Sequence, residues 1–198
     1  MTTIAVIKAS NSISITADGQ VSTESAIVGG EIVKVGGSDT AVWAAAGTTL
    51  LCDLFLSHMG DACNVGDWDK RNVLDFILSI NRYCHDNQLG QFEANTIIAN
   101  QHGVFTTYGV SGVSRSRILE RRGHSIEIAA IGSGAEYAIG ALEAMVVAKP
   151  QFDLWRVNLR DRKDLELMTQ TAVSIAHRHD LSTGRAYSSL NITLPEAS

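Results

Sequence analysis

Short-period alternation of apolar and polar residues dominates the start of the chain. Residues 3–9 read Thr-Ile-Ala-Val-Ile-Lys-Ala, and residues 12–17 set Ile13, Ile15 and Ala17 against Ser12, Ser14 and Thr16. A period of two predicts strands, the second with one apolar and one polar face, joined by a turn at Ser10-Asn11. Ile27 to Val35 and Ala41 to Ala46 read as two further strands, the latter ending at Gly47.

The period then lengthens. Leu50, Leu51, Leu54, Phe55 and Met59 recur at helical spacing behind Thr48 or Thr49 as cap; Val73, Leu74, Ile77, Leu78, Ile80 and Asn81 do so behind Asp67 or Asp69. Residues 95–100 and 103–108 predict a hairpin turned at Gln101-His102-Gly103. Residues 109–125, with Gly109, Gly112 and a Ser-Arg-Ser-Arg run, read as irregular. Ile126 to Ile131 predicts a strand that passes through Gly132-Ser133-Gly134 into a helix with Tyr137, Ala138, Ala141, Leu142, Met145 and Val146 on one face. Pro150 forbids its continuation, and 151–161 read as a loop carrying Phe152 and Trp155. A last helix spans Asp164 to His179, where His177, Arg178 and His179 suit the negative end of the helix dipole, and 186–194 form a closing strand. The tryptophans Trp43, Trp68 and Trp155 read as packing residues.

Strands, then helices, then strands, helices and a strand predict an α+β fold. Two antiparallel sheets packed face to face between helix layers, a four-layer αββα sandwich, accommodate that order. No internal repeat, low-complexity tract or Pro/Gly/Ser linker divides the chain, so residues 1–198 read as one domain.

Composition removes several classes of function. Sixteen basic against twenty-one acidic residues give a net charge of −5 with no basic stripe, which argues against a nucleic-acid partner. The most apolar stretch, 126–148, is broken by Gly132-Ser133-Gly134, Glu136 and Glu143, and predicts no membrane span. The start carries no charged-then-apolar leader, and Cys52, Cys63 and Cys84 lack metal-ligand spacing. A cytoplasmic protein with reduced thiols, no cofactor and no metal is the expectation.

Candidate chemistry begins at residue 2. Removal of Met1, which is commonly trimmed before a residue as small as Thr, would leave Thr2 with an amine and a hydroxyl on adjacent carbons. The amine can take the hydroxyl proton while the oxygen attacks a carbonyl. An α-amine titrates at about 7.7–8.0, so it serves as a base near neutral pH. Taken singly, the remaining candidates have plain structural readings. Asp18-Gly19 is a turn, Lys34 a solvated strand lysine, Ser133 a helix N-cap, and Asp180-Leu181-Ser182-Thr183-Gly184 a loop after a helix. Their conjunction carries the argument.

Thr-Thr-Ile at 2–4, Ala-Asp-Gly-Gln-Val at 17–21, Lys34, Ala-Ala-Gly at 45–47 and Ala-Ile-Gly-Ser-Gly-x-x-Tyr-Ala at 130–138 resemble proteasome β-type subunits. Gly-Gln after the Asp and the Ile-Gly-Ser-Gly block are similar to bacterial HslV, whereas Asp180 is similar to a true proteasome β subunit. That mixture resembles the betaproteobacterial proteasome homologues most, with the Anbu branch more distant. The resemblance runs through nearly the whole chain and is weaker over 60–70 and 109–125.

It implies roles position by position. Thr2 matches the nucleophile, Asp18 and Lys34 the pair beneath it, Gly47 the backbone donor of an oxyanion hole, and Ser133 the serine near the terminal amine. Asp180 and Thr183 match the outer carboxylate and hydroxyl; Thr183 stands where the family's Asp-x-x-Ser-Gly pattern has Ser, and it keeps the hydroxyl. The chemistry suits these residue types. An ammonium at Lys34 favours an alkoxide-like oxygen and lowers the amine's pKa by charge repulsion, while Asp18 supplies the counter-charge a buried lysine needs. The resemblance also implies a threonine peptidase enclosed in stacked homo-oligomeric rings, a seven-fold double ring ahead of a six-fold one. Peptides or unfolded proteins would be the substrate; no motif names an ATPase partner. Two rival readings are a catalytically silent ring acting as scaffold or binding chamber, and the same threonine chemistry applied to a small amide.

Overall fold

The computed structural model describes residues 2–22, 27–31, 33–62, 68–121, 123–147, 158–180, 183–184 and 187–194. In chain order the strands and helices are β1 (Thr3–Ala9), β2 (Ser12–Asp18), β3 (Gln20–Ser22), β4 (Ile27–Glu31), β5 (Val35–Gly37), β6 (Ala41–Ala46), α1 (Thr49–Ala62) and α2 (Lys70–Asp86). They continue with β7 (Asn95–Asn100), β8 (Gly103–Tyr108), β9 (Val113–Arg115), β10 (Arg117–Arg121), β11 (His124–Gly132), α3 (Ala135–Val147), α4 (Arg162–His179) and β12 (Tyr187–Thr193).

Two five-stranded sheets result, ordered β10-β11-β1-β2-β12 and β5-β6-β7-β8-β9, with β3 and β4 forming a separate hairpin. Strand pairing is antiparallel throughout both large sheets. Three apolar clusters mark three interfaces between four layers. Ile4, Val6, Ile13 and Ile15 meet Val42, Ala44, Ile97 and Ala99 between the sheets. Ala5, Ile7, Ile126 and Ile128 lie under Leu142, Met145, Leu165 and Met168 of α3 and α4. Trp43, Ile98 and Phe105 lie under Phe55, Met59, Val73 and Ile77 of α1 and α2. The expected αββα sandwich is therefore present. β1 lies at the centre of its sheet and buries both faces, which explains its near-continuous apolar run.

The polar face of β2 is buried as well. Ser14 and Thr16 lie beneath α4 and bond Thr169 Oγ1 at 3.1 and 2.7 Å, so hydroxyl pairs satisfy groups that solvent does not reach. Trp43 and Trp68 pack as expected, Trp68 edge-on to Phe76 at 5.1 Å.

Several boundaries differ from the sequence reading. Residues 109–125 are largely β9, β10 and the start of β11, not irregular chain. β9 and β10 are edge strands, and their exposed Arg115, Arg117 and Glu120 carry the charges that edges use against mispairing, at the expense of apolar alternation. The stretch 27–35 divides into β4 and β5, leaving Lys34 just before β5. Helix α1 runs past Met59 to Ala62. Asp69 is the cap of α2, its carboxylate accepting from the Asn72 amide at 2.8 Å. Helix α4 begins at Arg162, not Asp164, because Asp161 caps it by accepting from the Lys163 amide at 2.9 Å. Cys63, Asp67, Pro150, Phe152, Trp155, Leu181, Ser182 and Ala186 lie outside the described residues. Among the described residues no helix is long and apolar enough to cross a membrane, and no group of three His, Cys, Asp or Glu is placed to hold a metal.

Candidate active site

Strand register places residue 2. Thr3 pairs with Gly132 and Ile4 with Ala17, so the residue before β1 falls between the ends of β2 and β11. Its carbonyl accepts from the Ser133 amide at 3.0 Å. Gly132 adopts φ +94°, and a Cβ there would lie 1.7 Å from the Thr2 carbonyl oxygen, so only glycine fits.

On the β2 side, Lys34 Nζ lies 2.5 Å from Thr2 Oγ1 and 2.9 Å from Asp18 Oδ1. Thr2 and Lys34 are each 6% exposed and Asp18 is fully enclosed. Asp18 also accepts from the Thr3 amide at 3.3 Å and from the Gly184 amide at 2.6 Å. Burial pushes the Asp18 carboxyl up; the Lys34 charge and the two backbone amides pull it down without cancelling that effect. A single carboxylate thus fixes the lysine, the first strand and the loop after α4.

On the β11 side, Ser133 Oγ donates to Asp180 Oδ2, and Thr183 Oγ1 donates to the same oxygen at 3.0 Å. Thr183 Oγ1 meets Thr3 Oγ1 at 2.6 Å, and Thr3 Oγ1 accepts from the Gly134 amide at 3.1 Å. His177 Nδ1 faces the Thr183 carbonyl, an acceptor, and so donates to it. His179 stacks on Tyr137 with ring centroids 5.0 Å apart.

Six of the seven sequence candidates therefore form two hydrogen-bonded groups, Thr2-Lys34-Asp18 and Ser133-Asp180-Thr183, on either side of β1. Gly47 is not joined to either group. It follows β6, which pairs with β5 and β7, and among the described residues it makes no hydrogen bond to Thr2. The Gly47 backbone packs on Ala94, where a Cβ would come within 3.1 Å. Burial pushes the thiol of Cys52 in α1 up to about 11, against the pull of the Lys34 charge and the Gly47 amide. The sequence reading missed Thr3, Gly134 and Gly184 as partners of these groups. Thr3 read as an ordinary strand residue, and only the two glycines flanking Ser133 hinted at a crowded approach.

The four-layer αββα sandwich is the proteasome-like, N-terminal nucleophile hydrolase type of fold. Solved structures bear this out. BPH of Thiobacillus denitrificans, the betaproteobacterial proteasome homologue, superposes with a TM-score of 0.72 both free and in complex with epoxomicin. Identity to these two is 17% and 16%, with 98% of this chain covered and 100% and 99% of theirs. Eukaryotic HslV from Trypanosoma brucei gives a TM-score of 0.65 at 18% identity, covering 96% of this chain and 99% of its own. No protein-family model and no curated protein sequence matches the chain.

Proposed function

We propose that the chain, once freed of Met1, is a threonine peptidase acting through an acyl-enzyme on Thr2, the whole chain serving as one peptidase domain. The observation that carries this reading is the lysine ammonium in contact with both the Thr2 hydroxyl and a buried carboxylate. A donor 2.5 Å from the hydroxyl oxygen stabilises negative charge that develops there.

The steps balance with this chain's groups alone. Thr2 Oγ bonds to the peptide carbonyl carbon while its proton passes to the Thr2 amine. The carbonyl oxygen takes up negative charge, with the Gly47 amide as its proposed donor; one such donor is worth about 3 kcal/mol in the transition state. Collapse breaks the C–N bond, and the departing amine takes the proton from the Thr2 ammonium. Water then adds to the ester, its proton going to the same amine, and Thr2 Oγ leaves as the hydroxyl.

Likeness in fold to BPH and HslV supports assembly in stacked homo-oligomeric rings; a seven-fold double ring ahead of a six-fold one, unfolded polypeptide as substrate and a cytoplasmic setting complete the proposal. A lone exposed threonine peptidase would be hazardous to its surroundings, which gives enclosure a physical reason.

Intact mass spectrometry of the chain before and after exposure to epoxomicin, the ligand of the Thiobacillus structure, tests the reading. The expected result is loss of Met1 and one adduct, absent from Thr2→Ala, whose assembly stays intact. A Met1-free chain that forms rings yet takes no label and cuts no short peptide overturns it in favour of a silent scaffold.

A further inference from the structure

Resting on that reading, we propose that Thr3 is a positioning residue: its hydroxyl ties the nucleophile's strand to the loop after α4 and so sets where Thr2 stands. The direction of each hydrogen bond follows from counting protons. Thr183 Oγ1 has one proton and gives it to Asp180 Oδ2. In the 2.6 Å contact between the two threonines, Thr3 is therefore the donor. Its oxygen in turn accepts from the Gly134 amide at 3.1 Å. The result is one directional chain, from the Gly134 N–H through the Thr3 and Thr183 hydroxyls to the Asp180 carboxylate, where Ser133 also donates.

The position of Thr3 makes that chain consequential. Its amide donates to Asp18 Oδ1, the oxygen that also holds Lys34. Thr3 thus joins the lysine group to the Asp180 group one peptide bond from the nucleophile, beside the bond from the Gly184 amide to Asp18. Thr3 and Thr183 are both fully buried, so water does not replace a lost partner. The fit is tight: a Cβ on Gly134 would lie 2.4 Å from Thr3 Oγ1, 3.0 Å from Thr183 Oγ1 and 2.9 Å from the Ala176 Cβ. Glycine at 134 brings its amide onto the Thr3 oxygen, and nothing larger does so without displacing the pair. A purely apolar strand residue would serve β1 pairing equally well, since Val, like Thr, is β-branched. The hydroxyl therefore answers to the relay, not to the strand.

Thr3→Val and Thr3→Ser separate the two requirements. Val keeps the branch and removes the hydroxyl; Ser keeps the hydroxyl and removes the methyl. The expected result is that Thr3→Val lowers kcat on a short fluorogenic peptide, and the rate of epoxomicin labelling, by roughly tenfold with KM little changed, the effect of one lost buried hydrogen bond. Thr3→Ser stays within about twofold of the unsubstituted chain. Exchange of the Gly134 amide speeds up in Thr3→Val and not in Thr3→Ser. Unchanged kcat and unchanged Gly134 exchange in Thr3→Val overturn the proposal, as does a Thr3→Ser variant that falls as far as Thr3→Val. Failure of the peptidase reading shows separately, as an unsubstituted chain inert to label and peptide. The Gly134 exchange comparison then still decides whether the Thr3 hydroxyl sets the loop.

Discussion

An ammonium 2.5 Å from a hydroxyl oxygen is useful only while something holds it there, and here Asp18 does so. Replacing Asp18 with Asn removes the carboxylate charge with which Lys34 pairs, and chemical denaturation should show a loss of about 3 kcal/mol. Replacing both partners, Asp18→Asn with Lys34→Met, should recover much of that stability while hydrolysis stays abolished. In the proposed peptidase the raised Asp18 carboxyl should also set the acid side of the activity profile. The ion pair exists only once that group is ionised, so activity should first appear at a pH above the ordinary Asp value of 3.8. It should rise again as the terminal amine deprotonates, just below its ordinary range of about 7.7–8.0 because Lys34 repels the added charge. A kcat/KM profile without the second rise would remove the amine from the mechanism. Cys52 provides the control. With its thiol pushed up to about 11, it should alkylate far more slowly at neutral pH than a solvent thiol, and Cys52→Ala should keep the amine-controlled profile.

Among the elements, those with a clean period were legible and those shaped by their neighbours were not. β1, β6, β7 and β8 stand where alternation or apolar runs put them, because each has a partner strand on both sides. β9 and β10 were missed because an edge strand is written in charge. The start of α4 was missed because Asp161 caps it one turn ahead of the apolar spacing. At the candidate site, residues with a distinctive chemical type were legible as neighbours: Lys34, Asp18, Asp180 and Thr2. Thr3 and Gly184 were not, since their roles come from where β1 and the loop after α4 meet, 180 positions apart for the Thr3 and Thr183 hydroxyls. The strand-to-helix turn carries the sharpest element-level prediction. Gly132→Ala combines a positive φ with a Cβ driven onto the Thr2 carbonyl, so it should displace Thr2 and abolish labelling. Gly140→Ala, in α3 with open space around its Cβ, should instead stabilise the chain by up to about 1 kcal/mol in a thermal melt.

Taken as a whole, the molecule must hold two sheets in register over their full length while the proposed chemistry lies at one end. Glu127 fastens the other end. It lies five positions before Gly132 on β11, roughly 17 Å along the strand, and is buried between sheets. It accepts from the Val104 amide of β8 at 3.1 Å, the Ser116 hydroxyl at 2.8 Å and Lys8 Nζ of β1 at 3.2 Å. Ser116 stands where the chain passes from β9 in one sheet to β10 in the other, so one carboxylate ties both sheets and the crossing between them. Burial alone would raise this carboxyl, but the Val104 amide, the Ser116 hydroxyl and the Lys8 ammonium outweigh it and hold it below its ordinary value of 4.5. A lowered acid binds its proton more weakly folded than unfolded. Its stabilising contribution is therefore complete above the ordinary value and is lost as pH falls through the lowered one. Asp18, shifted the other way, acts with the opposite sign: stability declines as pH rises from 3.8 through its raised value. Glu127→Gln should thus weaken the fold near neutral pH by about 1–2 kcal/mol, lowering Tm by roughly 2–4 °C for each kcal/mol. It should also flatten the loss of stability on the acid side, while hydrolysis of a short peptide stays unchanged because the far end of β11 is not disturbed. Melting curves across acid pH for the unsubstituted chain and Glu127→Gln decide it: parallel curves would mean that Glu127 does not fasten the sheets by its charge.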